Sequence, residues 1–265
     1  KNSIEMKNSH KHDTFGEKVI RFFDSLQKPE DLPVGLDVVY PYDEPEVKRA
    51  ITEFYSTFLN DHRNRVFVLG INPGRFGSGM TGIPFTDPLA LNDSCGINNS
   101  FIQRRELSSE FVYKFIDVYG GTEKFYTDFF LSAVSPLGFV RDGKNYNYYD
   151  DPTLYKKLQP FIVQTLKEQL SFGAKTTAIL FGAGKNQKIF TDLNNKYHFF
   201  DNVFALEHPR YIMQYKRKHI DIYLKKYMDV FSQALESATR WLCRAWHLLP
   251  RSAYFSPYMK RYSKC

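Results

Sequence analysis

Apolar and polar positions along the chain predict strands that are separated by helices. Four short, continuous apolar runs read as buried strands, at residues 66–70, 129–134, 177–181 and 202–206. Apolar residues at helical spacing predict helices over residues 13–28, 45–60, 106–119, 151–170, a stretch after Lys185, and 214–235. Strands that alternate with helices favour a parallel sheet covered on both faces. We therefore expect an α/β fold of three layers around a four-stranded parallel sheet.

Two polar residues directly follow predicted strands. Asn72 comes after the first strand, on the glycine-rich loop 70–85, and His208 comes after the last. Glycines let a backbone approach a ligand closely. Open α/β proteins place their chemistry at the carboxyl ends of the strands. We expect Asn72 and His208 to emerge at one edge of the sheet.

The two side chains suit the cleavage of an N-glycosidic bond. A carboxamide orients a water molecule but cannot take up its proton, so it fits a strongly activated electrophile. An imidazole stabilises negative charge on a leaving group. The alternatives are structural, because Asn-Pro-Gly is a common turn and His-Pro equally suits a helix cap.

The composition narrows the setting of the protein. Residues 1–236 are long enough for one large α/β domain. The three cysteines, Cys95, Cys243 and Cys265, lack metal-ligand spacing, which excludes an iron–sulfur cluster and argues against structural zinc. We expect the hydrolysis to need no metal or other cofactor. So few cysteines, no apolar leader and no run of membrane-spanning length predict a soluble, intracellular protein, which we expect to be a monomer.

The positive charge is uneven. Of the net charge of +7, residues 237–265 supply +6, while the rest of the chain holds 30 bases and 29 acids. This basic tail contains both tryptophans and is either a native arm or a read-through extension. From Arg210 to Lys226 the sequence contains six lysine and arginine residues and a single acidic residue, Asp221. This cluster predicts contact with phosphates, although a solvated helix face is the alternative.

Several motifs, in order, resemble the uracil-DNA glycosylase superfamily, specifically its single-strand-selective monofunctional (SMUG) branch and bacterial relatives. Residues 70–77 read Gly-Ile-Asn-Pro-Gly-Arg-Phe-Gly against the family's Gly-Met-Asn-Pro-Gly-x-Phe-Gly, and residues 81–85 read Thr-Gly-Ile-Pro-Phe against Thr-Gly-Val-Pro-Phe. His208-Pro209 matches the start of the second motif. Residues 135–137 and 182–185 are similar to Cys-Pro-Leu and Gly-Val-Gly-Arg. The likeness spans about residues 60–235.

The resemblance implies roles for the pocket residues. Asn72 would orient the hydrolytic water, and His208 would stabilise the departing base. Phe85 would stack on that base, and Ile71 and Gly74 would line the pocket. In the family an aromatic residue at the position of Gly74 excludes 5-substituted pyrimidines, so glycine predicts a pocket that admits 5-hydroxymethyluracil.

The resemblance also implies contacts with DNA. The segment after the second motif would wedge into the duplex in place of the flipped base. That segment is Arg210, Tyr211, Ile212 and Met213, although Ile212 and Met213 equally suit the buried face of a helix. The residues expected to contact phosphates are Lys185, Lys216, Arg217 and Lys218.

One position departs from the family pattern. Where the family reads the base edge with an asparagine, this chain has Ala133, with Ser132 beside it. Ser132 or backbone groups are the expected substitutes, unless the preferred base is a deaminated purine such as xanthine or hypoxanthine.

The function expected is a monofunctional DNA glycosylase that removes deaminated bases, uracil first, in base-excision repair. It would act in the cytoplasm or nucleoid of a bacterium or in a eukaryotic nucleus. The first alternative is a non-catalytic protein that binds lesions or nucleic acid on the same fold. The second is an enzyme of free nucleosides that uses loop 70–82 as a phosphate cradle.

Overall fold

The computed structural model describes residues 13–247, with side chains described for residues 13–239. Its strands are β1 (Asp37–Val39), β2 (Arg65–Gly70), β3 (Phe129–Ala133), β4 (Gly138–Arg141), β5 (Lys144–Tyr146), β6 (Ala174–Phe181) and β7 (Asn202–Leu206). Its helices are α1 (Phe15–Ser25), α2 (Pro45–Phe58), α3 (Ser78–Thr81), α4 (Pro88–Asp93), α5 (Leu107–Tyr119), α6 (Thr122–Asp128), α7 (Pro152–Leu170), α8 (Lys185–Tyr197), α9 (Pro209–Tyr215) and α10 (Ile220–His247).

The central sheet has four parallel strands in the order β3-β2-β6-β7. They are the four strands that the apolar runs predict. Successive strand residues point to opposite faces. Phe130 packs its ring 5.1 Å from that of Phe15 on α1, whereas Phe129 packs 4.7 Å from Phe231 on α10. Helices therefore cover both faces, which is why the strands read as continuous apolar runs, and the predicted three-layer α/β fold is confirmed.

A buried arginine holds the amino end of β2. Arg65 is fully buried, and its guanidinium donates to both carboxylate oxygens of Asp61, at 2.9 and 2.8 Å. Its Nε donates to the carbonyl of Tyr126 at 2.6 Å, and the cation lies 4.7 Å above the ring of Phe15. A paired and fully hydrogen-bonded charge is the form in which arginine tolerates burial.

Residues 37–39 and 138–146 form a second sheet that the sequence pattern does not predict. Strands β1, β4 and β5 form a small antiparallel sheet in the order β1-β4-β5. Its strands are short and only partly buried, so they carry little hydrophobic periodicity. Gly138 lets β4 lie close to the loop that follows β2, because a Cβ at this position would lie 2.1 Å from the carbonyl oxygen of Pro73. The β4–β5 hairpin thus packs against the glycine-rich loop that follows β2.

The chain after β7 differs from the single helix expected over residues 214–235. Two helices, α9 and α10, are separated by a 3₁₀ turn at Arg217–His219. Helix α10 crosses the expected domain boundary at residue 236 without a break, and Ala238 is buried. Residues 248–265 of the predicted basic tail lie outside the described residues. Within residues 13–247, no helix is both long and apolar enough to cross a membrane.

Candidate active site

A cleft of about 310 Å³ opens at the carboxyl ends of β2, β3 and β7. The structure brings Asn72, Phe85 and His208 together in its lining. Ile71, Gly74, Ser132, Ala133, Arg210 and Tyr211 also line it. Residues from distant parts of the sequence meet here because parallel strands end at a common edge of the sheet.

The carboxamide of Asn72 is fixed by the β4–β5 hairpin and by its own loop. Its Nδ2 donates to the carbonyls of Pro73 and Tyr146, both at 3.3 Å. Its Oδ1 accepts from the backbone N–H of Tyr148 at 3.1 Å. An amide oxygen has two lone pairs, so Oδ1 keeps one acceptor position for a water molecule. The hairpin that holds this amide is the element that the sequence pattern did not reveal.

Phe85 stands on the cleft wall in a strained conformation. Its φ of 57° is in the left-handed region, which bulky residues rarely adopt. Its ring meets Phe181 edge-on with centroids 5.4 Å apart and lies 6.0 Å from the His208 ring. Gly70 makes room for it, because a Cβ on Gly70 would lie 2.5 Å from Phe85 Cζ. The glycine at the end of β2 therefore places an aromatic face in the cleft.

His208 is the N-cap residue of α9, and its ring is neutral. Nδ1 accepts a hydrogen bond from the Arg210 backbone N–H at 3.2 Å, which places the ring proton on Nε2. Desolvation by burial is the larger cause and the positive charge of Arg210 the smaller one, and together they lower the pKa of His208 to about 4. The segment before it is anchored, since Lys226 pairs with Glu207 at 2.8 Å and the Tyr227 hydroxyl donates to the Glu207 carbonyl.

A carboxyl group that the sequence analysis did not identify also lines the cleft. Glu106 caps α5, accepting from the Ser109 N–H at 3.0 Å and from the Ser108 hydroxyl at 3.1 Å. Burial raises its pKa, although these hydrogen bonds and the charge of Arg210 oppose the shift. Its signal in the sequence was that of a helix N-terminus, which does not distinguish a cap from a cleft residue.

The strand residues expected to contact the base edge, Ser132 and Ala133, have no side-chain polar group free of a protein partner. The Ser132 hydroxyl donates to Oε1 of Gln169 on α7. Ala133, which pairs with Gly70 in the sheet, has no polar side-chain atom. Asn145 and Asn147 of the hairpin region also line the cleft. They lie in the polar stretch 142–151, so local sequence alone did not point to them.

The expectation that Ile212 and Met213 wedge into DNA is wrong. Their side chains are 0% and 3% exposed and pack in the core, because α9 turns this face toward the protein. The exposed large side chains of this segment are aromatic. Tyr211 is 43% and Tyr215 is 64% exposed, and both line the cleft mouth with their ring centroids 5.4 Å apart.

The expected phosphate-binding residues do not line the cleft. Lys185 lies with its amine 5.2 Å above the ring of Tyr149. Lys216 and Lys218 flank Arg217, whose guanidinium bonds both carboxylate oxygens of Glu110 at 2.6 Å. The sequence analysis did not predict a stack on the glycine-rich loop, in which the guanidinium groups of Arg75 and Arg104 lie 4.6 and 3.6 Å from the Phe76 ring centroid.

The described residues also bear on metal chemistry. Among the side chains described, those of residues 13–239, no three His, Cys, Asp or Glu are grouped where they would hold a metal ion. The polar groups that line the cleft include four amides, the neutral imidazole of His208, the carboxyl group of Glu106, the guanidinium of Arg210 and several hydroxyl groups; the amides are those of Asn72, Asn145, Asn147 and Gln214.

Comparisons with known proteins agree with this geometry. A sequence model of the Uracil DNA glycosylase superfamily matches residues 57–236. Among solved structures, the crystal structure of wild-type SMUG2 from Pedobacter heparinus is similar, with a TM-score of 0.80 and 42% sequence identity. The match covers 83% of this chain and 97% of that chain. No curated protein matches the chain.

Proposed function

Because the chain belongs to the uracil DNA glycosylase superfamily and is a DNA glycosylase, we propose that it removes uracil and other deaminated bases flipped out of DNA. Water adds to C1′ of the deoxyribose, the glycosidic C–N bond breaks, and its electron pair leaves with the base. One proton of the water is released. The product is an abasic site in an unbroken strand, the first intermediate of base-excision repair.

The fixed carboxamide of Asn72 supports the positioning of the water. Three hydrogen bonds from one loop and one hairpin hold the amide in a single orientation. A positioned water needs no strong base when the sugar already carries oxocarbenium character. Asn72 therefore orients the nucleophile rather than deprotonating it.

The neutral ring of His208 supports the stabilisation of the leaving group. With Nδ1 occupied by the Arg210 N–H, Nε2–H is the donor available to the cleft. A preorganised donor of this kind stabilises negative charge that develops on a base oxygen as the C–N bond breaks. The ring of Phe85, held between Gly70 and the cleft, offers a stacking face for the flipped base.

The cleft mouth supports DNA as the substrate. Tyr211 and Tyr215 are exposed aromatic side chains beside the cleft, suited to stacking on bases next to the extruded nucleotide. Arg210 supplies positive charge at the same rim. No lysine is among the described residues that line the cleft, and a lyase step through a Schiff base would need such an amine. This supports monofunctional hydrolysis.

The observation that carries the proposal is the presence of a fixed carboxamide and a neutral imidazole in one cleft. The test uses single-turnover cleavage of uracil-containing oligonucleotides, single- and double-stranded, with alkali revealing abasic sites. We expect Asn72→Ala and His208→Ala each to lower the rate by roughly 10²- to 10³-fold. Matched controls are Asn195→Ala and His62→Ala, two exposed residues outside the cleft, which should leave the rate unchanged. Full activity in both cleft variants would defeat the assignment, and tight binding by the wild type without cleavage would favour a lesion-binding protein.

A further inference from the structure

Asn145 occupies space in the cleft that Gly74 leaves open. It lies on β5, at the cleft mouth, and lines the same cleft as Asn72 and Phe85. A Cβ on Gly74 would lie 3.2 Å from Asn145 Nδ2 and 3.9 Å from its Cγ. A side chain at position 74 would therefore compete with this carboxamide for one volume. In this protein the carboxamide holds it.

The orientation of the Asn145 amide is set by the neighbouring loop. Its Oδ1 accepts from the Arg75 backbone N–H at 3.3 Å, which leaves the NH₂ group beside Gly74. No described residue accepts a hydrogen bond from Nδ2. The next residue, Tyr146, accepts from Asn72 at 3.3 Å. Asn145 therefore directly precedes the residue whose carbonyl holds the Asn72 amide, the group that orients the water.

Two other candidates for contact with a base edge, Asn147 and Ser132, are already hydrogen-bonded within the protein. The Asn147 amide donates to Asp150 Oδ1 at 3.3 Å, and the Ser132 hydroxyl donates to Gln169. Ala133 has no polar side chain. A uracil ring presents two carbonyl acceptors and one N–H donor, and an amide with a free NH₂ and a spare lone pair matches either kind of group. Asn145 has that capacity and lies directly beside Gly74. Gln214 is another lining amide with no hydrogen-bond partner among the described residues, but it lies on α9 with the exposed Tyr211 and Tyr215.

We propose that Asn145 contacts the extruded base, donating from Nδ2 to a ring carbonyl and restricting the room beside C5. This rests on the proposed glycosylase function and makes Asn145 a determinant of base preference. It also changes the expectation drawn from Gly74, because the space that a glycine leaves for a 5-substituent is closed by a side chain from another element.

The test compares uracil with 5-hydroxymethyluracil in the same single-stranded oligonucleotide under single-turnover conditions. Asn145→Ala removes both the donor and the obstruction. We expect its uracil rate to fall roughly 3- to 10-fold, the range of one neutral hydrogen bond. The ratio of 5-hydroxymethyluracil to uracil rates should rise at least about 10-fold over wild type.

Two further variants separate the contributions. Asn145→Asp keeps the volume but lacks the donor, so it should lower the uracil rate without raising the ratio. Lys144→Ala changes the exposed neighbour on β5 that does not line the cleft, and both rates should match wild type. The inference is overturned if the wild-type protein excises uracil but Asn145→Ala leaves the ratio of 5-hydroxymethyluracil to uracil rates unchanged. A wild-type protein that excises neither base would instead remove the proposed function.

Discussion

Changing the pH tests whether His208 acts as a neutral donor. Desolvation, and then the charge of Arg210, lowers the pKa of His208 to about 4. At pH 7 roughly one ring in a thousand is then protonated, because each pH unit above the pKa changes the ratio tenfold. Between about pH 5.5 and 8 the neutral ring is almost the whole population. We therefore expect the single-turnover rate on uracil to be nearly constant over this range.

The opposite assumption predicts a different profile. If the imidazolium were the active form, the rate would fall about tenfold for each pH unit above 4. The assay is single-turnover cleavage at constant ionic strength from pH 5 to 8. His208→Gln retains a neutral N–H donor and should keep more activity than His208→Ala. A tenfold loss per unit, or a His208 pKa near 6.5 measured by NMR, would refute the reasoning.

The same pKa makes a prediction about stability. Between pH 6.5 and pH 4 the unfolded chain binds a proton at His208 and the folded chain does not. The free energy of unfolding should therefore fall as the pH falls through this window, by at most about 3 kcal/mol from this group. Denaturant titrations at pH 7 and 4.5 measure the fall. His208→Gln should show a smaller one, and an equal fall in that variant would contradict the assignment.

Four further substitutions test the packing of the fold and the exposed aromatic side chain at the cleft mouth. Gly70→Ala should displace the Phe85 ring, since the new Cβ would lie 2.5 Å from it. The displacement should cost about 1–3 kcal/mol of stability and lower the rate of uracil excision, and a wild-type rate would contradict this. Ile212→Ala should cost about 2–5 kcal/mol in a denaturant titration, because the side chain is fully buried. Tyr211→Ala should change stability by less than about 0.5 kcal/mol but slow excision from duplex more than from single strands, and an equal effect on both strands would argue against stacking in the duplex. Arg65→Ala should cost about 2–5 kcal/mol because it empties a fully buried position and removes the hydrogen bonds to Asp61 and to the Tyr126 carbonyl. A thermal unfolding midpoint equal to wild type would contradict this role of Arg65.

The sequence by itself determined the main sheet and the chemical character of the cleft. Continuous apolar runs identify strands that are buried on both faces, because such strands need no polar alternation. Asn72 and His208 follow two of these strands, and parallel strands end at one edge. Both inferences use only local pattern and a general rule of chain direction. The helix predicted over residues 151–170 is also local, because its N-cap Asp151 accepts hydrogen bonds from the backbone N–H groups of Thr153 and Leu154.

Only the tertiary structure decided which side chains face the cleft and in what state. Ile212 and Met213 share a short helix with Tyr211, and the docking of α9 determines which of them is buried. The short, half-exposed hairpin carries too little periodicity to be predicted, yet it holds Asn72 and presents Asn145. The low pKa of His208 arises mainly from its burial in the folded protein, with a smaller contribution from the charge of Arg210. These properties depend on what surrounds a residue in space, which neighbours in sequence do not specify.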